Sequence, residues 1–207
     1  MKIALTLVLV AALSFSGCKK NGIEYMVHGT VFDQSFNTPS SGTTVSLYEY
    51  APGSAFPTLV SSAVTGSEGE YSFTIKRDKV EKYELVIEKT NYFSHTSEFS
   101  VEDLDPKIPK IITMPIAAKS WVKLSFHNPD NVGNVKIVKT NGKTGCDECC
   151  MFSEFTLYNN VTDSTIYCIN EGNSTYSYHW FKLQTTENGE ASVTTVPFDT
   201  TELILNY

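Results

Sequence analysis

Four cysteines crowd the last third of the chain: Cys146, Cys149 and Cys150 sit almost side by side, and Cys168 follows. The Cys146-Asp147-Glu148-Cys149 spacing suits two thiolate ligands of a tetrahedral zinc, and four thiolates would complete its shell. In an oxidising compartment the same sulfurs form two disulfides instead. Thioredoxin-type redox chemistry needs this spacing at a helix N-terminus within a βαβ unit, and the flanking sequence carries no such pattern. The histidines His28, His95, His127 and His179 are scattered singly, with no His-Glu-x-x-His spacing. Nucleophile-elbow and phosphate-loop glycine patterns are absent, and a serine without an adjacent base is a poor nucleophile. The carboxylates Glu98, Glu102, Asp103 and Asp105 lack the ligand order and glycine of a calcium loop. No catalytic residue, metal site or cofactor is therefore assigned. Tyr176, Tyr178 and Trp180 alternate, so they share one face of a strand. Exposed, they would stack on sugar rings or a protein partner. Turned inward they are core, the commoner fate of aromatic residues in a small sandwich.

Compartment decides between zinc and disulfides, and the N-terminus speaks to compartment. Lys2 precedes the apolar run Ile3 to Leu13, and Ser16-Gly17 puts two small residues directly before Cys18. A basic start, a short apolar segment and small residues at the cut describe an export signal. A membrane span needs about 20 apolar residues, whereas Ser14, Ser16, Gly17 and Lys19-Lys20 break this one.

Leu13-Ser14-Phe15-Ser16-Gly17-Cys18 resembles the bacterial lipobox, with Phe15 where leucine is usual, and the Ser-Gly-Cys-Lys start is similar to lipoproteins of the Bacteroidota. The resemblance implies cleavage after residue 17, acyl chains such as palmitate on Cys18, and a cell-envelope location at the outer membrane. Several acyl chains anchor stably where one does not. Lys19-Lys20, with only Glu24 nearby, departs from the acidic cluster that accompanies surface export, so the periplasmic and surface faces stay equally open. Thiols beyond the inner membrane are oxidised, which favours two disulfides over zinc. Adjacent cysteines rarely bridge each other, so one link is expected from Cys146 within the loop and one from Cys149 or Cys150 to Cys168.

Without residues 1–17 the chain has 15 basic against 23 acidic residues, a net charge of −8. Lys76, Arg77 and Lys79 are interrupted by Asp78, Glu81 and Glu84, so no basic stripe offers phosphates a counter-ion-releasing surface and no nucleic-acid partner is expected. Thr, Val, Tyr and Phe abound, alanine is scarce after the leader, and short alternating runs recur between turn residues. That is the signature of antiparallel β-sandwiches. Strands are expected at 25–32, 43–50, 71–75, 82–88 and 111–116, then at 121–127, 135–138, 152–158, 164–169, 175–184, 191–196 and 201–207. Turns are expected at Glu68-Gly69-Glu70, as a tight hairpin, at Asn128-Pro129-Asp130-Asn131, and at the hairpin signal Asn188-Gly189. Gly29 within a strand marks a bulge or a close backbone approach. Pro115 places the strand at 111–116 on a sheet edge.

Val27-His28-Gly29-Thr30-Val31-Phe32-Asp33, Val45-Ser46-Leu47-Tyr48, Thr65 to Phe73, Tyr83 to Ile87 and Asn91-Tyr92 occur in an order that resembles the carboxypeptidase-regulatory-like domain, a transthyretin-like sandwich. The resemblance covers roughly Ile23 to Ala117 and implies a fold without catalysis. The expected organisation is a signal peptide at 1–17, a lipidated tether at 18–22, a transthyretin-like sandwich at 23–117 and a second sandwich at 118–207. The function class that follows is a non-enzymatic binding, scaffold or assembly component. It would hold the membrane by its N-terminal lipid and face an envelope-protein or glycan partner. Carbohydrate binding through Tyr176, Tyr178 and Trp180 is the alternative, and metal or redox chemistry at the four cysteines a more distant one.

Overall fold

The computed structural model describes residues 22–128, 133–146, 148–150, 154–158 and 163–207. Cys18, the turn residues Pro129 to Asn131 and Phe152 lie outside them. The chain is all-β.

The first half contains β1 (Glu24–Asp33), β2 (Thr38–Pro39), β3 (Thr44–Tyr50), β4 (Thr58–Val64), β5 (Glu70–Lys76), β6 (Lys82–Glu88), β7 (His95–Ser100) and β8 (Lys110–Ile116). In one sheet β1 lies between β5 and β8, with β2 on its last residues, and the other sheet runs β4-β3-β6-β7. Strict alternation sets the inner faces. Tyr25, Val27 and Val31 of β1 and Tyr71, Phe73 and Ile75 of β5 meet Val45 and Leu47 of β3 and Tyr83, Leu85 and Ile87 of β6. Each such buried side chain contributes about 1.5–3 kcal/mol.

The second half contains β9 (Lys119–His127), β10 (Val135–Asn141), β11 (Glu154–Leu157), β12 (Asp163–Glu171), β13 (Thr175–Lys182), β14 (Asn188–Thr194) and β15 (Thr200–Asn206). Its sheets run β12-β9-β15 and β11-β10-β13-β14. A separate cluster of buried residues, among them Val122, Leu124, Phe126, Ile137 and Leu205, lies between them. The two halves share one wiring. Strands β9 to β15 pair as β1 and β3 to β8 do, and among the described residues β2 is the sole addition. No sequence repeat announces this, because what both halves conserve is strand order and alternation.

The all-β sandwich expectation holds, and the structure departs from expectation in four details. Pairing is not wholly antiparallel: β8 runs parallel to β1 and β15 parallel to β9, because the last strand of each half crosses back beside the first. Strands β4 and β7 were not legible. β4 is mostly exposed and β7 buries only Phe99, so hydrogen-bond ladders at a sheet edge hold them rather than an apolar pattern. The turn at Gly69, at φ +71°, is no hairpin, since β4 and β5 belong to different sheets. Asn188-Gly189 lies inside β14, and the turn is the preceding segment 183–187. Gly189 is there because Trp180 stands opposite it: a Cβ would come within 2.8 Å of the indole. Gly29 is a close approach of the same kind. The hydroxyl of Tyr71, its cross-strand partner, passes over it to donate to the Ile112 carbonyl at 2.8 Å, and a Cβ would collide with that carbonyl. Among the described residues β8 pairs only with β1, so Pro115 does sit in an edge strand.

Candidate functional site

All four cysteines of the second half are bridged, Cys146 to Cys149 and Cys150 to Cys168. A bridged sulfur offers no thiolate, so the tetrathiolate zinc reading does not apply to this state, and among the described residues no group of three His, Cys, Asp or Glu could hold a metal ion. Cys168 is fully buried in β12, and Cys150 lies against the carbonyl of Tyr167. The bridge therefore ties the segment after β10 to the wall of the second core. The shorter bridge tightens a turn in which the Cys149 N–H donates to the Cys146 carbonyl at 3.1 Å, and Glu148 presents its carbonyl to the Ile169 N–H at 3.0 Å. Lys139 reaches beneath this loop and donates to the carbonyls of Cys149, at 3.1 Å, and Lys143. Burial lowers its pKa.

The aromatic ladder turns inward, the commoner of the two fates weighed for it, so Tyr176 and Tyr178 offer no ligand surface. Tyr176 and Tyr178 are 2% and 1% exposed and belong to the second core, and Trp180 packs half-buried over Gly189. A strand flanked by β10 and β14 has one face available for the core, and the bulkier aromatic face fills it. Burial pushes the hydroxyl pKa of Tyr176 and of Tyr178 up to about 12. Three of the four carboxylates considered for a calcium loop have structural partners, Asp105 accepting from the Lys107 N–H at 2.7 Å. Glu98 pairs with Lys82 at 2.5 Å, and Asp103 accepts from the Ser100 N–H at 2.9 Å.

What the sequence does not signal is the junction between the halves. Asp33, buried at the end of β1, accepts the N–H groups of Ser35 and Phe36 at 3.0 and 3.2 Å. The Tyr92 hydroxyl lies near Asp33, and its pKa is pushed up, by burial first and by that carboxylate second. Ser35 then joins the halves. Its hydroxyl oxygen accepts from the Ala118 N–H at 2.9 Å and its carbonyl from the Asn173 side chain at 2.7 Å. Phe198 packs between Phe36 and Tyr92, with ring centroids at 5.9 and 5.4 Å. Asn91 and Phe93 exchange backbone hydrogen bonds with Lys119 and Ala117 at 2.8 and 3.0 Å.

Beside this seam opens a cleft of about 680 Å³. The first half supplies Lys89, Tyr92 and Phe93, and the second supplies Lys119, Lys143 and Cys146, with Glu88 and Glu148 also in its lining. Lys143 and Lys119 both lie over the Phe93 ring, at 4.7 and 5.6 Å from its centre, and Lys89 lies 4.6 Å from the centre of Tyr92. Lys143 is also held by Glu171 at 2.5 Å, and its N–H by the Asn170 side chain at 2.7 Å. These residues come from three separate stretches of sequence, so no local motif could have found them.

No family model matches this chain, and no curated protein matches it. Among solved structures, the shaft pilin SpaA of Lactobacillus rhamnosus GG is 8% identical over 88% of this chain and 97% of that one, with a TM-score of 0.38. The TIE protein of Bacillus anthracis is 11% identical over 89% and 34%, with a TM-score of 0.39. A catechol 1,2-dioxygenase from Acinetobacter sp. ADP1 is 13% identical over 49% and 55%, with a TM-score of 0.36, so the chain spans about half of that enzyme's length. Likenesses this low carry no inference about activity or assembly.

Proposed function

We propose that the protein is a lipid-anchored component of the bacterial cell envelope, held at the outer membrane by acyl chains on Cys18, and that it serves as a non-enzymatic binding, scaffold or assembly module. The observation that carries this is Ser16-Gly17-Cys18 closing a short apolar leader behind Lys2. Two features support it. Paired disulfides suit an oxidising compartment. The direction of β1 suits a spacer: Ile23 lies at one end, where its carbonyl accepts from the Arg77 N–H at 2.8 Å, and Asp33 lies at the other, beside the junction. A ten-residue strand is roughly 33 Å long at about 3.3 Å per residue. A tether at residues 18–22 would therefore leave the 23–117 half nearest the membrane and let the 118–207 half stand up to roughly that far above it. The carboxypeptidase-regulatory-like resemblance of the first half suits such an accessory role.

The test is metabolic labelling with an alkyne palmitate analogue, combined with the mass of the mature N-terminal peptide. The native chain takes up label and begins at Cys18, and Cys18→Ala takes up none. A mature protein that begins elsewhere, or stays in the membrane fraction without an acyl group, overturns the proposal.

A further inference from the structure

We propose that the junction cleft is a binding site for a carboxylate-rich organic anion, held by Lys89 and Lys119 and laid against Phe93 and Tyr92. The electrostatics motivate it first. On a chain with seven more acidic than basic residues, three lysines converge on one cleft. Two of them, Lys119 and Lys143, are placed over the same ring. Lys143 is neutralised by Glu171. Among the described residues neither Lys89 nor Lys119 has an ion-pair partner, and the Lys89 ammonium bonds only the Ser40 hydroxyl, at 3.2 Å. An anion in the cleft would supply the counter-charge that both lack. Glu88 and Glu148 also line the cleft but are exposed, so solvent screens their opposition to an anion.

Form points the same way. The cleft's volume falls in the range of small-ligand sites, about 300–1,000 Å³. Its walls are fixed on both sides: the Asn91–Phe93 segment is bonded to Ala117 and Lys119, and the Cys146–Cys149 bridge holds the loop that carries Lys143. Lysines are point charges that accept carboxylate oxygens without a fixed fork, which suits several separate carboxylates better than one planar group. Such an anion could be an acidic sugar chain or a free polycarboxylic acid. The shared chemistry is the set of carboxylates.

The experiment is calorimetric titration of the full-length protein in neutral detergent, at low ionic strength, with trigalacturonate, citrate and uncharged maltotriose. Saturable binding of either anion without maltotriose binding is expected. Lys89→Gln and Lys119→Gln should each weaken it at least tenfold, while Lys107→Gln, far from the cleft, leaves it unchanged. Added salt should weaken it further. A preference for trigalacturonate that Phe93→Leu removes identifies an acidic sugar, and equal affinities identify a free polycarboxylate. Melting curves of each variant confirm folding, and if one lysine variant fails to fold the other decides. No saturable binding of either anion, or binding indifferent to both lysine variants, overturns the proposal. The titration does not depend on lipidation, so its failure leaves the anchoring proposal standing.

Discussion

Loss of the Cys150–Cys168 bridge should cost stability chiefly because its effect falls on the unfolded chain. The bridge spans 18 residues, and closing a loop of that size removes unfolded-state entropy equivalent to about 3 kcal/mol. The Cys146–Cys149 bridge spans only 3, for which the same relation gives about 2 kcal/mol, an upper figure because so short a turn is stiff already. Alanine at both cysteines of the longer bridge also removes the Cys168 sulfur that accepts from the buried Tyr176 hydroxyl at 3.5 Å, which adds to the loss. At about 2–4 °C per kcal/mol for a chain of this size, Cys150→Ala/Cys168→Ala should lower the melting temperature by roughly 6–12 °C, and the Cys146→Ala/Cys149→Ala pair by less. The assay is calorimetry of both variants and the oxidised protein without reductant, after non-reducing peptide mapping has confirmed the pairing. Any transition belonging to the first core should stay where it is, because no disulfide lies in it. A longer-bridge variant that melts within about 2 °C of the parent, or a shorter-bridge variant that loses more, refutes the reasoning.

The hydroxyl of Tyr178 is buried without a hydrogen-bond partner among the described residues, so Tyr178→Phe should leave the protein as stable or firmer by up to about 1 kcal/mol in denaturant melts; a clear loss would mean that the hydroxyl has a partner. Alkaline titration should show a second effect of burial. Tyr71, Tyr83, Tyr176 and Tyr178 are held neutral, with pKa values pushed from 10.0 up to about 12. A raised folded-state pKa means that their contribution is complete below pH 10 and is lost as pH climbs toward about 12. Circular dichroism should therefore report unfolding in that window as phenolate absorbance rises. Ionisation of all 11 tyrosines near pH 10 with the fold intact would contradict it.

Much of the fold was legible because alternation is a one-dimensional record of burial. Tyr71-Ser72-Phe73-Thr74-Ile75 and Lys82 to Glu88 declare which side chains face the core, and the structure buries those side chains. Edge strands leave no such record: Thr58–Val64 packs on one neighbour and is largely exposed, so its sequence reads as loop. Asn188-Gly189 failed for a different reason. Its glycine answers to the ring of Trp180 across the strand pair, not to a turn. Of the candidate site, the disulfide chemistry was readable and the exact partners were not, since Cys149 and Cys150 compete for Cys168 until the turn at 146–149 settles which sulfur faces β12.

Residue order alone established the β class, the inward faces of the central strands, the acidic surface charge and the pairing of cysteines into disulfides, because each depends on neighbours in sequence or on composition. Folding in three dimensions decided the rest. It turned Tyr176 and Tyr178 from possible ligand contacts into core, gave two halves without a shared sequence the same wiring, and brought Lys89, Phe93, Lys119 and Lys143 to one cleft. The direction of a two-faced strand and the meeting of distant loops depend on which sheet packs against which, and that is settled only when whole sandwiches close on their cores.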